Sequence, residues 1–112
     1  MNNEELLSVF KIMADETRLK IITALQGKEK NEKEIVEELG MLQSTIANHM
    51  GKLCQSGILT KRKEGKTVYF SISEEKVGEI RKGLEALLVP YREMEIKYTK
   101  GNPRGIVVPT KR

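Results

Sequence analysis

Residues Gly40 to Phe70 read GMLQSTIANHMGKLCQSGILTKRKEGKTVYF. Gly40 ends one apolar-periodic segment, and a short turn follows it. From Gln43 to Ser56 the apolar residues Ile46, Met50 and Leu53 recur at helical spacing, with Gly57 closing their side, so the stretch predicts a helix with one polar face. From Ile58 to Ile72 the pattern changes to strand alternation, clearest at Val68, Phe70 and Ile72. Glu64-Gly65 lies at the middle, where glycine supplies the positive φ of a hairpin turn.

The preceding sequence supplies the helices that such a unit packs on. Leu6, Leu7, Phe10 and Met13 predict an amphipathic helix from about Asn3 to Ala14. Asp15 is a good N-cap for a second helix reaching about Gln26, with Leu19, Ile22 and Leu25 inward and Gly27 ending it. Asn31 and Glu34 have the spacing of a capping box. They open a short third helix with Ile35, Val36 and Leu39 inward and Gly40 as its stop. After the hairpin, Ser73 caps a last helix, with Glu74 and Glu75 favourably placed in its first turn.

The order helix, turn, polar-faced helix, basic hairpin is that of a winged helix-turn-helix, which reads duplex DNA. The expected fold is mainly α with one small β-hairpin: four helices, the hairpin, and a last helix. In such a fold the second helix of the motif enters the major groove by its N-terminal end. Its outward residues are Gln43, Ser44, Thr45, Ala47 and Asn48. Gln and Asn pair bidentately with adenine, and an alanine methyl suits a thymine methyl. Lys52, two turns along, reaches backbone more readily than bases. On the hairpin, Lys61, Arg62, Lys63 and Lys66 offer long cations to phosphates or to the minor groove. The plainer readings are a polar helix face and an edge hairpin blunted by lysines.

Charge supports the first reading. Of 112 residues with a net charge of +4, the segment Gln43–Lys66 carries five cations (Lys52, Lys61, Arg62, Lys63, Lys66) against Glu64. The segment Lys97–Arg112 carries five cations (Lys97, Lys100, Arg104, Lys111, Arg112) and no acid. Cations concentrated in this way suit a polyanion partner.

His49 is the single histidine and Cys54 the single cysteine. A lone histidine without a cysteine pair is a poor metal site. His49 suits a phosphate contact or a brace between the two helices of the motif. Cys54 reads as half-buried packing, with a redox-sensing thiol as the rival. No glycine-rich phosphate loop, nucleophile–base pair or metal-ligand spacing is visible, so neither enzymatic activity, nor a metal, nor any other cofactor is expected. The first residues hold no basic region followed by an apolar block, and the longest apolar run, Ala86–Val89, is far too short for a bilayer. A cytoplasmic protein without a membrane partner is the expectation.

The last helix carries Val77, Ile80, Leu84, Leu87, Tyr91, Met94 and Tyr98 three and four residues apart, as a helix–helix seam requires. We expect that seam, with Leu6 and Phe10, to form a homodimer interface. Pro90 should kink or break it. Residues 1–98 are expected to form the DNA-binding and dimerisation domain. Residues 99–112, with Gly101, Pro103, Gly105 and Pro109, are expected to be a basic, irregular and mobile tail.

Three stretches together resemble the ArsR/SmtB-type winged-helix repressors. They are Ala14–Ile22 (ADETRLKII), Gln43–Leu53 with Gly57-Ile58-Leu59, and Lys63–Phe70 (KEGKTVYF). The resemblance spans about residues 4 to 98. It implies a homodimer built from first and last helices, an imperfect inverted-repeat operator, and repression relieved by an effector. It also implies that Gln43, Ser44, Ala47 and Asn48 are base-proximal and that Lys66 lies at the wing tip. Asn48 departs from the His or Arg of many members. Gly51 departs from their long polar residue, and glycine within a helix costs about 1 kcal/mol relative to alanine. The cysteines of metal-sensing members are missing from Glu29–Val36 (EKNEKEIV), the last helix has no histidine, and the paired cysteines of sulfur-sensing members are absent. The usual inducers are therefore not implied, and the effector stays unnamed.

Overall fold

The computed structural model describes residues 1–90, 94–99 and 101–109. Its elements run α1 (Asn3–Met13), α2 (Glu16–Ala24), β1 (Lys30–Asn31), α3 (Glu32–Leu39), α4 (Gln43–Gln55), β2 (Leu59–Glu64), β3 (Thr67–Ile72), α5 (Glu74–Leu87), β4 (Met94–Thr99) and β5 (Asn102–Pro109).

The helix starts follow their caps. Asp15 Oδ1 accepts from Arg18 N at 3.0 Å, and Ser73 Oγ accepts from Lys76 N at 3.1 Å. Asn31 and Glu34 close a full capping box, each side chain bonded to the other's backbone N–H. Gly40 ends α3 at φ 63°, ψ 32°, a left-handed conformation that glycine adopts without the Cβ penalty.

Ile35, Ile46, Met50 and Leu53 from α3 and α4 meet Ile21 and Leu25 from α2, Val9 from α1, and Ile58 and Leu59 at the hairpin base. Burying each such side chain contributes about 1.5–3 kcal/mol. This core fixes α4 against α2 and α3 and anchors the wing. Leu19 is not part of it. Expected inward, it is 47% exposed on a shallow groove that also borders Leu39, because α2 turns Ile21, Ala24 and Leu25 to the core instead.

The wing is a three-stranded antiparallel sheet of order β1-β3-β2. Leu59 lies opposite Ile72, Lys61 opposite Phe70, Lys63 opposite Val68, and Glu64 opposite Thr67. Gly65 and Lys66 make the turn, with Gly65 at φ 62°. The extra strand β1 pairs Lys30 with Phe70 and Asn31 with Tyr69.

Two expectations are corrected. The last helix does not carry its seam to Tyr98. It ends at Leu87, and the Leu88 N–H closes it on the Leu84 carbonyl. Pro90 lacks an N–H and disfavours helical geometry at Val89. Met94 and Tyr98 lie in β4, and Tyr91 lies outside the described residues. Nor is the tail irregular throughout, since β4 and β5 form an antiparallel hairpin of their own, Ile96 opposite Val107. The i, i+2 alternation Met94, Ile96, Tyr98 and the run Ile106-Val107-Val108 suit strands.

Leu6 also changes role. It is 2% exposed within one chain, packed where α1 crosses α5. Gly83 makes the crossing close: a Cβ there would lie 3.1 Å from Leu6 Cδ2. Val77, Ile80 and Leu84 are half-buried in the same chain, Ile80 against the core. Leu7, Phe10, Leu87 and Leu88 remain exposed on α1 and around the end of α5.

Candidate nucleic-acid interface

Because Ile46, Met50 and Leu53 are buried, helical periodicity turns Gln43, Ser44, Ala47, Asn48, Gly51 and Lys52 outward, and all six are exposed. Five of them are recognition-helix positions expected from sequence. The other two expected positions differ. Thr45 is half-buried, and His49 turns back toward α2.

His49 Nδ1 accepts from Arg18 Nε at 3.1 Å and lies 3.8 Å from Asp15 Oδ1. Arg18 also donates through Nη1 to the Ile12 carbonyl at 3.0 Å. These bonds tie the end of α1, the start of α2 and the middle of α4 together. His49 thus braces α4 against the start of α2, not the turn between the two helices of the motif that the sequence suggested. The N–H of Arg18, then the nearby His49 and Arg18 side chains, hold the Asp15 carboxyl below its usual range.

At the start of α4, Gln43 donates its amide to Glu32 Oε2 of α3 at 3.1 Å. This contact joins the two helices of the motif at the edge of the exposed face.

The wing sorts its cations by strand alternation. Lys61 and Lys63 share the face of Leu59, Val68, Phe70 and Ile72, the face that continues into the core and looks toward α4. Lys61 is near enough to α4 for its charge to act on Cys54. Arg62 points to the opposite face. It clamps Glu29 at 2.6 and 3.2 Å, bonds Glu64 at 3.0 Å, and stands 4.9 Å from the Tyr69 ring centroid. Those hydrogen bonds raise the Arg62 guanidinium above its usual range and lower the Glu29 carboxyl. Arg62 is therefore a strut between the wing and the segment after α2, on the face opposite Lys61 and Lys63. Nothing in the sequence marks Glu29 as its partner, which stands 33 positions away.

Lys52, Lys61, Lys63 and Lys66 are exposed and form no ion pair among the described residues. Cys54 is half-buried, and burial pushes its thiol above the usual value, against the weaker pull of Lys61. The protonated thiol is the unreactive form. Among the described residues no group of three or more His, Cys, Asp or Glu side chains gathers as metal ligands.

The chain matches known proteins over this unit. The model of the arsR family of bacterial regulatory proteins matches residues 15–61. The transcriptional activator HlyU of Vibrio cholerae is 32% identical over 76 residues, 68% of this chain and 70% of that protein. Its reduced form superposes with a TM-score of 0.64, covering 80% of this chain and 94% of that one at 29% identity. The regulator KmtR of Mycobacterium tuberculosis is 26% identical over 74 residues, 66% of this chain, and the match spans 57% of that longer protein. A homodimeric winged helix-turn-helix DNA-binding domain from Mycobacterium bovis, Mb0332, superposes with a TM-score of 0.63 at 25% identity, over 75% of this chain and 78% of that one. With the fold, the exposed helix face and these matches in place, the chain belongs to the arsR family of bacterial regulatory proteins, winged helix-turn-helix transcriptional regulators.

Proposed function

We propose that this chain is a homodimeric, sequence-specific DNA-binding regulator that represses transcription from an inverted-repeat operator and has no catalytic role. The observation that carries the reading is the juxtaposition of the exposed Gln43, Ser44, Ala47, Asn48 and Lys52 with Lys61, Lys63 and Lys66 of the wing, which form no ion pair among the described residues. The helix face supplies base-edge chemistry, and the wing supplies phosphate affinity. A two-fold dimer would set two recognition helices about one DNA turn apart. Exposed Phe10 and Leu87, with Leu7 and Leu88, offer the apolar surface for that dimer. HlyU is named an activator, so the sign of regulation follows from where the operator lies, and repression follows when it overlaps the polymerase site. No helix among the described residues is long and apolar enough to cross a membrane, and a cytoplasmic location suits a DNA partner. The raised thiol of Cys54 weighs against a redox switch.

Two substitutions separate the roles. Asn48→Ala should lower preference for the operator over shuffled duplex by about 1–3 kcal/mol, as loss of a bidentate adenine contact would. Lys66→Ala should weaken binding to both duplexes equally and lower the salt slope by about 1. Fluorescence anisotropy on both duplexes measures each. Unchanged affinity and preference in Asn48→Ala would overturn the recognition-helix assignment. A protein-binding winged module, the second reading, predicts weak and sequence-blind association for the unaltered chain.

A further inference from the structure

The wing and the first turn of α3 face each other across an open groove of about 540 Å³. Lys33 lines it from α3, Lys61 and Lys66 line it from the wing, and Phe70 contributes an apolar wall. Three lysines thus line one groove from elements distant in sequence. None has an ion-pair partner among the described residues, although neighbouring cations do. Lys30 is bonded to Glu38 at 2.6 Å, and Arg62 to Glu29 at 2.6 Å. Pairing is therefore available locally, and it is withheld from the three cations of this groove.

Like charges gathered without partners destabilise the free protein and are relieved by an anion. The carboxylate bordering the groove is Glu32, whose Oε2 is held by the Gln43 amide. That bond also makes the groove continuous with the exposed face of α4. The first helix of a helix-turn-helix crosses the DNA backbone. Flexible lysines on an open, exposed rim suit a chain of phosphates, where each acts as a point charge.

We propose that this groove seats backbone phosphate of the bound duplex, with Lys33 as a phosphate contact that neither the recognition helix nor the wing supplies. The inference rests on the DNA-binding reading above and adds a third element to it.

The test uses the full chain with Lys33→Ala, Lys33→Arg and, as a control, Lys28→Ala. Lys28 is also exposed, but it borders a different cavity, beside Arg81. Each variant is titrated with a duplex from upstream of its own gene and with a shuffled duplex, at several salt concentrations. Circular dichroism confirms that each is folded. Lys33→Ala should weaken both duplexes by the same factor, roughly 5- to 10-fold near 0.1 M salt, and lower the salt slope by about 1. Lys33→Arg should bind as the unaltered chain does, and Lys28→Ala should change nothing. If Lys33→Ala keeps its affinity and slope while Lys66→Ala loses both, the groove proposal fails and DNA binding stands. If Lys33→Ala changes preference between duplexes instead of affinity for both, it is not a phosphate contact and the proposal also fails. If the unaltered chain binds neither duplex, the DNA-binding reading itself fails.

Discussion

Asp15 shows how one side chain serves two levels of the structure. It caps α2 through the Arg18 N–H and faces His49 of the recognition helix. Its carboxyl lies below the ordinary value of 3.8 in the folded chain. The sign of the linkage follows. A folded pKa below the unfolded one adds stability above the unfolded pKa, and the contribution is lost as pH falls through the folded value. Asp15→Ala should therefore lower the urea midpoint at pH 7, and the difference from the unaltered chain should shrink at acid pH as the folded carboxyl becomes protonated. Urea titrations at neutral and acid pH check this, and an equal difference at both would exclude the charged cap as the cause. The caps at Asp15, Asn31 and Ser73 were readable in the sequence because a cap is a relation across three residues. The Arg62–Glu29 clamp was not, because only the folded sheet brings the two together.

At the level of elements, α4 contains one local conflict. Gly51 sits inside the helix, exposed, and a Cβ added there would meet nothing within 4 Å. Gly51→Ala should raise unfolding stability by about 1 kcal/mol, read as a higher urea midpoint at unchanged m-value. A loss of stability would mean that the helix needs glycine's backbone freedom at this point. The helices and the wing turn were legible because period 3.6, period 2 and glycine punctuation each gave a separate signal. The two-residue strand β1 was too short to show a period. The β4–β5 hairpin was hidden because Met94 and Tyr98, four apart, fit both a helical seam and an alternating strand. Of the expected site, the outward face of α4 followed from the buried Ile46, Met50 and Leu53. The division of the wing into a face bearing Lys61 and Lys63 and a face bearing Arg62 was already implicit in the alternation. What sequence lacked was the pairing partner, Glu29, that holds Arg62 on its face of the wing.

For the whole molecule, the radius of gyration of 19.2 Å exceeds the roughly 13 Å of a compact chain this long. The extents of 60 × 28 × 27 Å describe an elongated protomer. Phe10 and Leu87 are exposed, and they are the residues proposed above to meet a second copy. Phe10→Glu combined with Leu87→Glu should shift sedimentation from dimer to monomer and weaken operator binding more than 10-fold, because each half-site would then be bound alone. A double variant that stays dimeric would move the interface elsewhere. The central claim is best tested by titrating the purified protein into duplex from upstream of its own gene and into a shuffled duplex, across a salt series. A tight preference for the native duplex, one dimer per site, and a steep loss of affinity with salt are the expected results. Equal, weak binding to both duplexes at every salt concentration would contradict the account.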